Sequence, residues 1–328
     1  MIRIVLILLL AILALTALSL IHGDYPLPVG QVIDALRGDP ATPPHIHRIV
    51  VELRLSRLIL GLLVGTALAV AGAIAQAVMR NRLAEPGLLG INSGAALAAM
   101  LVIVGVKGIN EQLLPAASFA GATAMAAAIY ILSWRHGTSS LRIILIGIGL
   151  GALGSAVTTF LSALGDIRDV QRAMVWLAGS LYDASWSQVQ ILFAWIVLPL
   201  ALVWITAREL DTISFGDDSA RSLGQRVNFV RGLMILICTL LSGAAVAAAG
   251  LVGFIGLIAP HMARRLVGHG HAKVIPIAGL LGAVLVTAAD FVGRTVLAPA
   301  QLPVGLMTAL IGAPFFAWLM WERRHVTA

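Results

Sequence analysis

The chain has 328 residues, of which 59% are hydrophobic and only 11% are charged, and its mean hydropathy is +0.98. Soluble domains carry roughly 25% charged residues, so this composition excludes an ordinary soluble protein. The apolar runs do not alternate in the way that transmembrane β-strands require. The net charge of +7 is better explained by positive residues at the cytoplasmic side of a membrane than by nucleic-acid binding. We therefore expect an all-α polytopic membrane protein.

A transmembrane helix needs about 20 largely apolar residues, and the chain contains nine runs close to that length. A tenth segment, residues 250–267, has an apolar half that is too short to span alone, and Pro260 is expected to bend or end its helix before His261. Counted as a short or re-entrant span, this segment brings the number of crossings to about ten. The nine longer runs are 2–21, 58–79, 88–106, 113–133, 141–164, 189–207, 229–249, 274–296 and 306–321.

The distribution of lysine and arginine predicts the orientation. If the N-terminus lies inside, 14 of the 22 basic residues fall on the inner side, as is typical of a cytoplasmic face. Both termini and the polar loop 208–226 are then cytoplasmic. Residues 1–20 also resemble a secretory signal, but a first apolar run followed by many later spans is interpreted as a retained helix. The whole chain, 1–328, is predicted to form one transmembrane domain.

The loop 208–226 is the longest strongly polar interval in the second half of the chain. Ser214 or Asp217 is expected to cap a short helix that ends near Gly224. Asp217 and Asp218 then lie in the first turn, where the helix dipole favours negative charge. Such a helix would suit a docking cleft on a soluble partner, although a solvated connector explains the loop equally well.

Two outer segments also contain predicted helices. Segment 23–57 is expected to begin with a short helix near 29–36 and to continue as an irregular stretch. Segment 166–187 is expected to hold an amphipathic helix at about 168–183, lying at the outer surface. Its apolar face would consist of Val170, Met174, Trp176, Leu177 and Leu181.

Few residues of the spans suggest chemistry of their own. The sequence has no GxxxxGK[ST] phosphate loop. Asp290 is the only carboxylate well inside a span and is expected to pair with Arg294, four residues later on the same helix face, rather than to relay protons. His261 is expected to be a packing residue, and the other histidines have too few companions for a metal site. Cys238, the single cysteine, is expected to be a small buried side chain.

Long stretches of the sequence resemble the FecCD-type permeases, the transmembrane subunits of ABC importers for iron chelates, haem and cobalamin. The resemblance runs nearly from end to end. The matching stretches are GTALAVAGAIAQAVMRNRLAEPGLLGINSGA at 65–95, WLAGSL at 176–181, GDDSARSLG at 216–224, GLVGFIGLIAPHMARR at 250–265 and QLPVGLMTALIGAPFFAWL at 301–319.

This resemblance implies ten spans per subunit in a bacterial inner membrane, and a dimer with a second permease that is identical or a sister chain. It also implies two cytoplasmic ATPase subunits that hold ATP and Mg²⁺, and a soluble substrate-binding protein outside. The chain itself is then a permease without enzymatic activity or cofactor. It would pass an iron(III) chelate of the siderophore class inward by alternating access, with haem or cobalamin as the alternative cargo.

The resemblance also implies roles for individual residues. Arg82 and Ser56 stand where the family usually has proline, so the inner gate and the outer docking loop differ locally from its pattern. The implied roles are ATPase coupling for Gly216, Asp217, Ala220, Arg221, Leu223 and Gly224, docking of the binding protein for Arg54, Arg57 and Arg294, and an inner gate for Asn81, Leu83, Thr138, Ser139 and Ser140.

Two functions from other classes remain open at this point. An ion-coupled secondary carrier would need no ATPase subunit and would depend on Asp290, because mid-membrane carboxylates commonly relay ions. A membrane anchor for a surface enzyme would move no solute, but it leaves the long outer loops and the glycine-rich late segments without a role.

Overall fold

The computed structural model describes residues 1–23, 25–105, 113–135, 137–296 and 298–324. The described part is helical, and the predicted all-α membrane fold is confirmed. A π-helical stretch, Arg48–Leu55, and a 3-10 turn, Pro86–Leu89, accompany the α-helices. The α-helices are α1 (Ile2–Ile21), α2 (Val29–Arg37), α3 (Pro44–His47), α4 (Ser56–Val78), α5 (Ile91–Gly105), α6 (Leu114–Leu132), α7 (Ser140–Leu164), α8 (Ile167–Leu177), α9 (Trp186–Ile205), α10 (Ala207–Ser214), α11 (Asp217–Ser222), α12 (Val227–Ala249), α13 (Ile255–Val267), α14 (His271–Thr295) and α15 (Val304–Arg324).

Seven helical stretches of the described residues are long and apolar enough to cross a membrane, and α5 and the first part of α15, Val304–Leu319, are shorter apolar helices. We call the end of the bundle that holds residues 208–226 the loop end, and the opposite end, which holds residues 54–57 and 299–303, the far end. The helices that run between the two ends are α1, α4, α5, α6, α7, α9, α12, α14 and α15. Val106, the predicted end of the third span, lies outside the described residues.

Residues 250–267 complete a tenth passage in the described part of the chain. At the far end, the Ser180 N–H donates to Ala249 O at 2.8 Å, and Gly250 packs against the backbone of Trp176. At the loop end, His269 Nε2 lies 3.2 Å from Arg82 Nη2. The segment therefore crosses the bundle, as the irregular stretch 250–254 followed by α13.

The prediction that Pro260 ends the helix is wrong, because α13 continues through Pro260 to Val267; a bend at Pro260 stays a prediction. Proline has no N–H to donate to the carbonyl four residues earlier, which belongs to Gly256. The side chain of Gln76 in α4 takes this place: its Nε2 donates to Gly256 O at 3.2 Å. A neighbouring helix thus satisfies the freed backbone group, as a helix in lipid requires.

Helix α4 forms the centre of the bundle and packs against α12, α13 and α14. Glycines bring these backbones together. A Cβ on Gly72 would lie 1.9 Å from Gly256 O, and one on Gly65 would lie 2.1 Å from Gly282 O. Small residues allow such close helix contacts in membranes, where hydrophobic burial does not drive association.

The outer segments differ in part from the sequence prediction. The helix expected near 29–36 is confirmed as α2. The irregular stretch expected after it covers only residues 38–43, because residues 44–78 form a continuous helical stretch of 35 residues. Helix α8 ends at Leu177, earlier than the expected 183, and Met174 points away from its buried face, which centres on Ala173.

Candidate functional site

The polar loop 208–226 folds into two short helices, α10 and α11, at the loop end. The predicted helix that ends near Gly224 is confirmed, with Asp217 and Asp218 in its first turn. Gly216 and Gly224 bracket it with φ values of 111° and 83°, which side chains other than glycine rarely tolerate. The predicted side-chain cap is wrong: Gly216 is the N-cap, and Ser214 Oγ donates to Leu210 O instead.

One face of this loop presents apolar side chains to solvent. Phe215 is 74% exposed and Leu223 is 70% exposed, beside the exposed Arg221. Ala220 is fully buried, so it packs α11 inward and does not belong to the exposed face. Large apolar side chains next to charges typically mark a surface that a partner covers. Sequence reasoning missed Phe215, although an aromatic residue inside a polar interval was the signal.

Hydrogen bonds fix the loop to the bundle. Asp211 Oδ1 accepts the His271 N–H at 2.9 Å and lies 2.6 Å from His271 Nδ1, which attaches α10 to the first turn of α14. Gln225 Nε2 donates to Glu209 O at 2.9 Å and to Glu209 Oε2 at 2.6 Å. The loop is therefore a folded unit with a defined position, and a simple solvated connector would not need these contacts.

Arg231 joins the loop to the segment before α7. Its side chain is 0% exposed, and Nη2 lies 2.6 Å from Asp217 Oδ1. Nη1 donates to Thr138 O at 2.7 Å and to Thr138 Oγ1 at 3.1 Å. Asn228 Oδ1 accepts the Thr138 N–H at 3.2 Å. Sequence reasoning treated Arg231 only as an inner positive charge, although an arginine one turn inside an apolar helix is itself a signal.

The predicted gate residues lie on two neighbouring segments at the loop end. Ser140 Oγ donates to Val78 O at 2.7 Å, so the start of α7 touches the end of α4. Ser139 accepts from the Arg142 N–H at 3.5 Å and caps α7. Asn81 Oδ1 accepts the Leu83 N–H at 2.9 Å. The structure thus brings 137–140 close to the segment that follows α4, and the gating role of these residues stays a prediction.

Glu85 follows these gate residues and meets the irregular part of the tenth passage. Its carboxylate accepts a hydrogen bond from the backbone of Phe254, just before α13 begins. Burial raises the pKa of Glu85 above its usual value, and the hydrogen bond from Phe254 opposes this shift. Phe254 has a φ of 66°, an uncommon value for an aromatic residue. A carboxylate at the start of a helix complements the helix dipole.

At the far end, the predicted pair between Asp290 and Arg294 is present, but the closer partner of Asp290 is Arg57. Arg57 donates hydrogen bonds from Nε and Nη2 to the carboxylate oxygens of Asp290 at 2.8 to 3.1 Å. Arg294 Nε lies 3.9 Å from Asp290 Oδ2. Arg57 Nη1 also donates to Gln301 at 2.8 Å. A bidentate pair of this kind is a strong, charge-assisted contact.

The other two arginines predicted to dock the binding protein are each only 8% exposed. Arg54 donates to Leu20 O at 2.6 Å, at the end of α1. Arg294 donates to Ser19 O at 3.1 Å and to His22 O at 3.3 Å. These contacts hold α1 against the bundle, and the docking role of the three arginines stays a prediction.

A solvent-open cavity of about 1360 Å³ lies beside Arg57 at the far end. This volume exceeds the roughly 300–1,000 Å³ of typical small-molecule pockets. Among the described residues, no group of three or more His, Cys, Asp or Glu side chains could hold a metal ion. The cavity is lined by polar and aromatic side chains that include Arg168, Arg172, Trp176, Tyr182 and Gln188.

Similar proteins are permeases for iron chelates. The chain is 42% identical to the iron(3+)-hydroxamate import system permease protein FhuG of Bacillus subtilis (strain 168), with 83% of each chain covered. It is 41% identical to the achromobactin transport system permease protein CbrC of Dickeya dadantii (strain 3937), over 97% of this chain and 90% of that one. It is 39% identical to the hemin transport system permease protein HmuU of Yersinia pestis, over 87% of this chain and 86% of that one.

A solved structure described as an inward-facing metal-chelate type ABC transporter superposes with a TM-score of 0.88 and 29% identity, over 98% of this chain and 100% of that one. Residues 9–322 match one transport family along almost the whole chain. The sequence, the ten-pass helical bundle and these likenesses agree: the chain belongs to the FecCD transport family, the permease subunits of ABC importers.

Proposed function

We propose that this chain is the permease subunit of an ATP-driven importer that carries iron(III) chelates of the siderophore class into the cytoplasm. The observation that carries the proposal is the folded loop at one end of a ten-pass bundle, with Phe215 and Leu223 exposed to solvent. A surface of this kind, in a protein with no phosphate loop of its own, suits the docking of ATPase subunits. Relatives that carry iron chelates support the choice of cargo.

The assembly that follows contains a second permease, identical or a sister chain, two cytoplasmic ATPase subunits and a soluble substrate-binding protein. The chain forms a single permease domain over 1–328, binds no cofactor and hydrolyses no ATP; ATP and Mg²⁺ belong to the ATPases. It lies in the bacterial inner membrane with both termini and the loop 208–226 in the cytoplasm. The far-end cavity then receives the chelate from the binding protein.

Haem is the second candidate cargo, because the hemin permease is almost as similar as the hydroxamate permease; cobalamin is an alternative from the same family. An ion-coupled secondary carrier fits less well. Its required mid-membrane carboxylate would be Asp290, which is occupied by Arg57 at the far end of the bundle.

The test is uptake into proteoliposomes that contain the chain with its partner subunits and the binding protein. ATP should drive accumulation of a ferric hydroxamate or ferric citrate, with hemin and cobalamin as the competing cargoes. Replacing 218–224 with a flexible linker keeps the pair of Asp217 with Arg231, so the bundle should stay folded while ATP-driven uptake is abolished. Uptake driven by an ion gradient without ATPase subunits, or full coupling with the linker in place, would refute the proposal.

A further inference from the structure

We propose that Arg231 is a positioning residue that carries the movement of α11 to the segment 137–140 and hence to the start of α7. The inference rests on the proposed function, in which ATPase subunits move α11. Arg231 belongs neither to the predicted ATPase-coupling residues nor to the predicted gate residues, and it connects the two sets.

The first step is the attachment of α11. Within the part of the chain that the structure describes, Asp217 makes the only side-chain hydrogen bond from α11 to another helix, to Arg231 Nη2 at 2.6 Å. The remaining side-chain bonds of α11 are internal, such as Arg221 to Asp218 at 3.2 Å. A push on α11 therefore reaches the bundle through backbone connections, apolar packing and this one charged contact.

The second step is the contact made by the other terminal nitrogen of the Arg231 guanidinium, Nη1. Arg231 Nη1 donates to Thr138 O at 2.7 Å, so one planar group holds α11 on one side and the segment before α7 on the other. The guanidinium is rigid, and the distance between its two arms cannot change. Because the contact with Thr138 is buried and the guanidinium itself is 0% exposed, an unpaired guanidinium would be costly, which favours keeping both contacts when one side moves.

The third step leads to the gate residues. The Thr138 N–H donates to Asn228 Oδ1 on α12 at 3.2 Å. Helices α11 and α12 and the segment 137–140 therefore share one polar cluster. Two residues later, Ser140 Oγ donates to Val78 O at 2.7 Å. A displacement of Thr138 is thus passed to the first turn of α7 and to the last turn of α4, from which residues 79–85 continue.

The test compares Arg231→Lys with Arg226→Lys in the complete reconstituted transporter. Lysine keeps the charge, but a single ammonium on a flexible stem cannot hold Asp217 and Thr138 at a fixed separation. We expect Arg231→Lys to hydrolyse ATP nearly as fast as the wild type and to import about tenfold less chelate per ATP, the effect of losing one charge-assisted hydrogen bond. Arg226 is exposed at the entrance to α12, and its lysine variant should import normally.

A second variant keeps the proposal testable if Arg231→Lys folds poorly. Asp217→Asn has nearly the same size as the native residue but lacks the charge, and it should show the same low ratio of import to hydrolysis. The double variant should be no worse than Arg231→Lys alone, because both changes break one link. A matched fall of import and hydrolysis, or additive defects, would show that Arg231 only stabilises the fold. Absence of ATP-driven import by the wild type would instead refute the proposed function.

Discussion

Asp290 shows how a single side chain separates two mechanisms. A carboxylate inside a span is either a relay for ions or one half of a structural pair. The two nitrogens that Arg57 places at 2.8 to 3.1 Å from its oxygens, and the burial of both side chains, favour the structural pair. The pairing with Arg57 thus argues against ion coupling through Asp290.

Asp290→Asn is expected to destabilise the protein by about 2–4 kcal/mol, because Arg57 would remain buried without its counter-charge. Import per folded molecule should stay near the wild-type level and should not depend on a proton gradient. Thermal unfolding in detergent gives the stability, and uptake normalised to folded protein gives the activity. The double variant Arg57→Gln, Asp290→Asn removes the stranded charge and should recover part of the stability. Abolished uptake by fully folded Asp290→Asn would favour an ion-coupled carrier.

At the scale of helices, the contact between α4 and α13 explains how a segment too short to be an ordinary span still crosses the bundle. The stretch 250–254 is irregular, and α13 begins only at Ile255. Gln76 supplies the hydrogen bond that Pro260 cannot, and Gly72 lets the two backbones touch. Irregular backbone inside a membrane protein is stable where neighbouring helices surround it in this way.

Gly72→Ala is expected to lower stability by about 1–3 kcal/mol or more, because even one added carbon forces α4 away from α13. The matched control is Gly149→Ala in α7, where an added Cβ meets nothing within 4 Å. The control should be neutral or slightly stabilising. Unfolding temperatures of the two purified variants in the same detergent give the comparison, and an unchanged value for Gly72→Ala would contradict the close contact.

The helices could be predicted from sequence because their signals are local. Apolar runs of about 20 residues identify spans, and the polar interval 208–226 contained a helix ending near Gly224, as expected. Partners far apart in the chain could not be predicted. Arg57 and Asp290 are 233 residues apart, and Arg231 and Thr138 are 93 apart, whereas helical periodicity relates only neighbours such as Asp290 and Arg294.

The buried arginines to which the family resemblance assigns a role also have contact partners that the sequence could not predict. Arg54 and Arg294 are predicted to dock the binding protein, and in the structure their guanidinium groups also hold α1 in place. Sequence gives the charge and the approximate depth of such a residue. Which backbone carbonyls lie within reach of the guanidinium depends on helix packing, and that is set by the whole bundle.

For the molecule as a whole, the two ends of the bundle should face opposite compartments. Cysteines introduced at Leu223 and at Tyr182 test this, because both native side chains are exposed, one at each end. A membrane-impermeant maleimide applied to the periplasmic side of cells should label Tyr182→Cys and not Leu223→Cys. Inside-out vesicles are the control and should reverse the pattern. Labelling of both positions from one side would contradict the crossing of the membrane by α9, the one long helix between them.

The position of Cys238 makes that experiment simpler than it usually is. The only thiol of the chain is fully buried in α12, with Sγ 3.3 Å from Ala71 O. Fluorophores, spin labels and cross-linkers that attack thiols in water have no route to it in the folded state. The native protein should therefore give no background labelling of its own. Single cysteines can be introduced one at a time without first replacing Cys238 in the core.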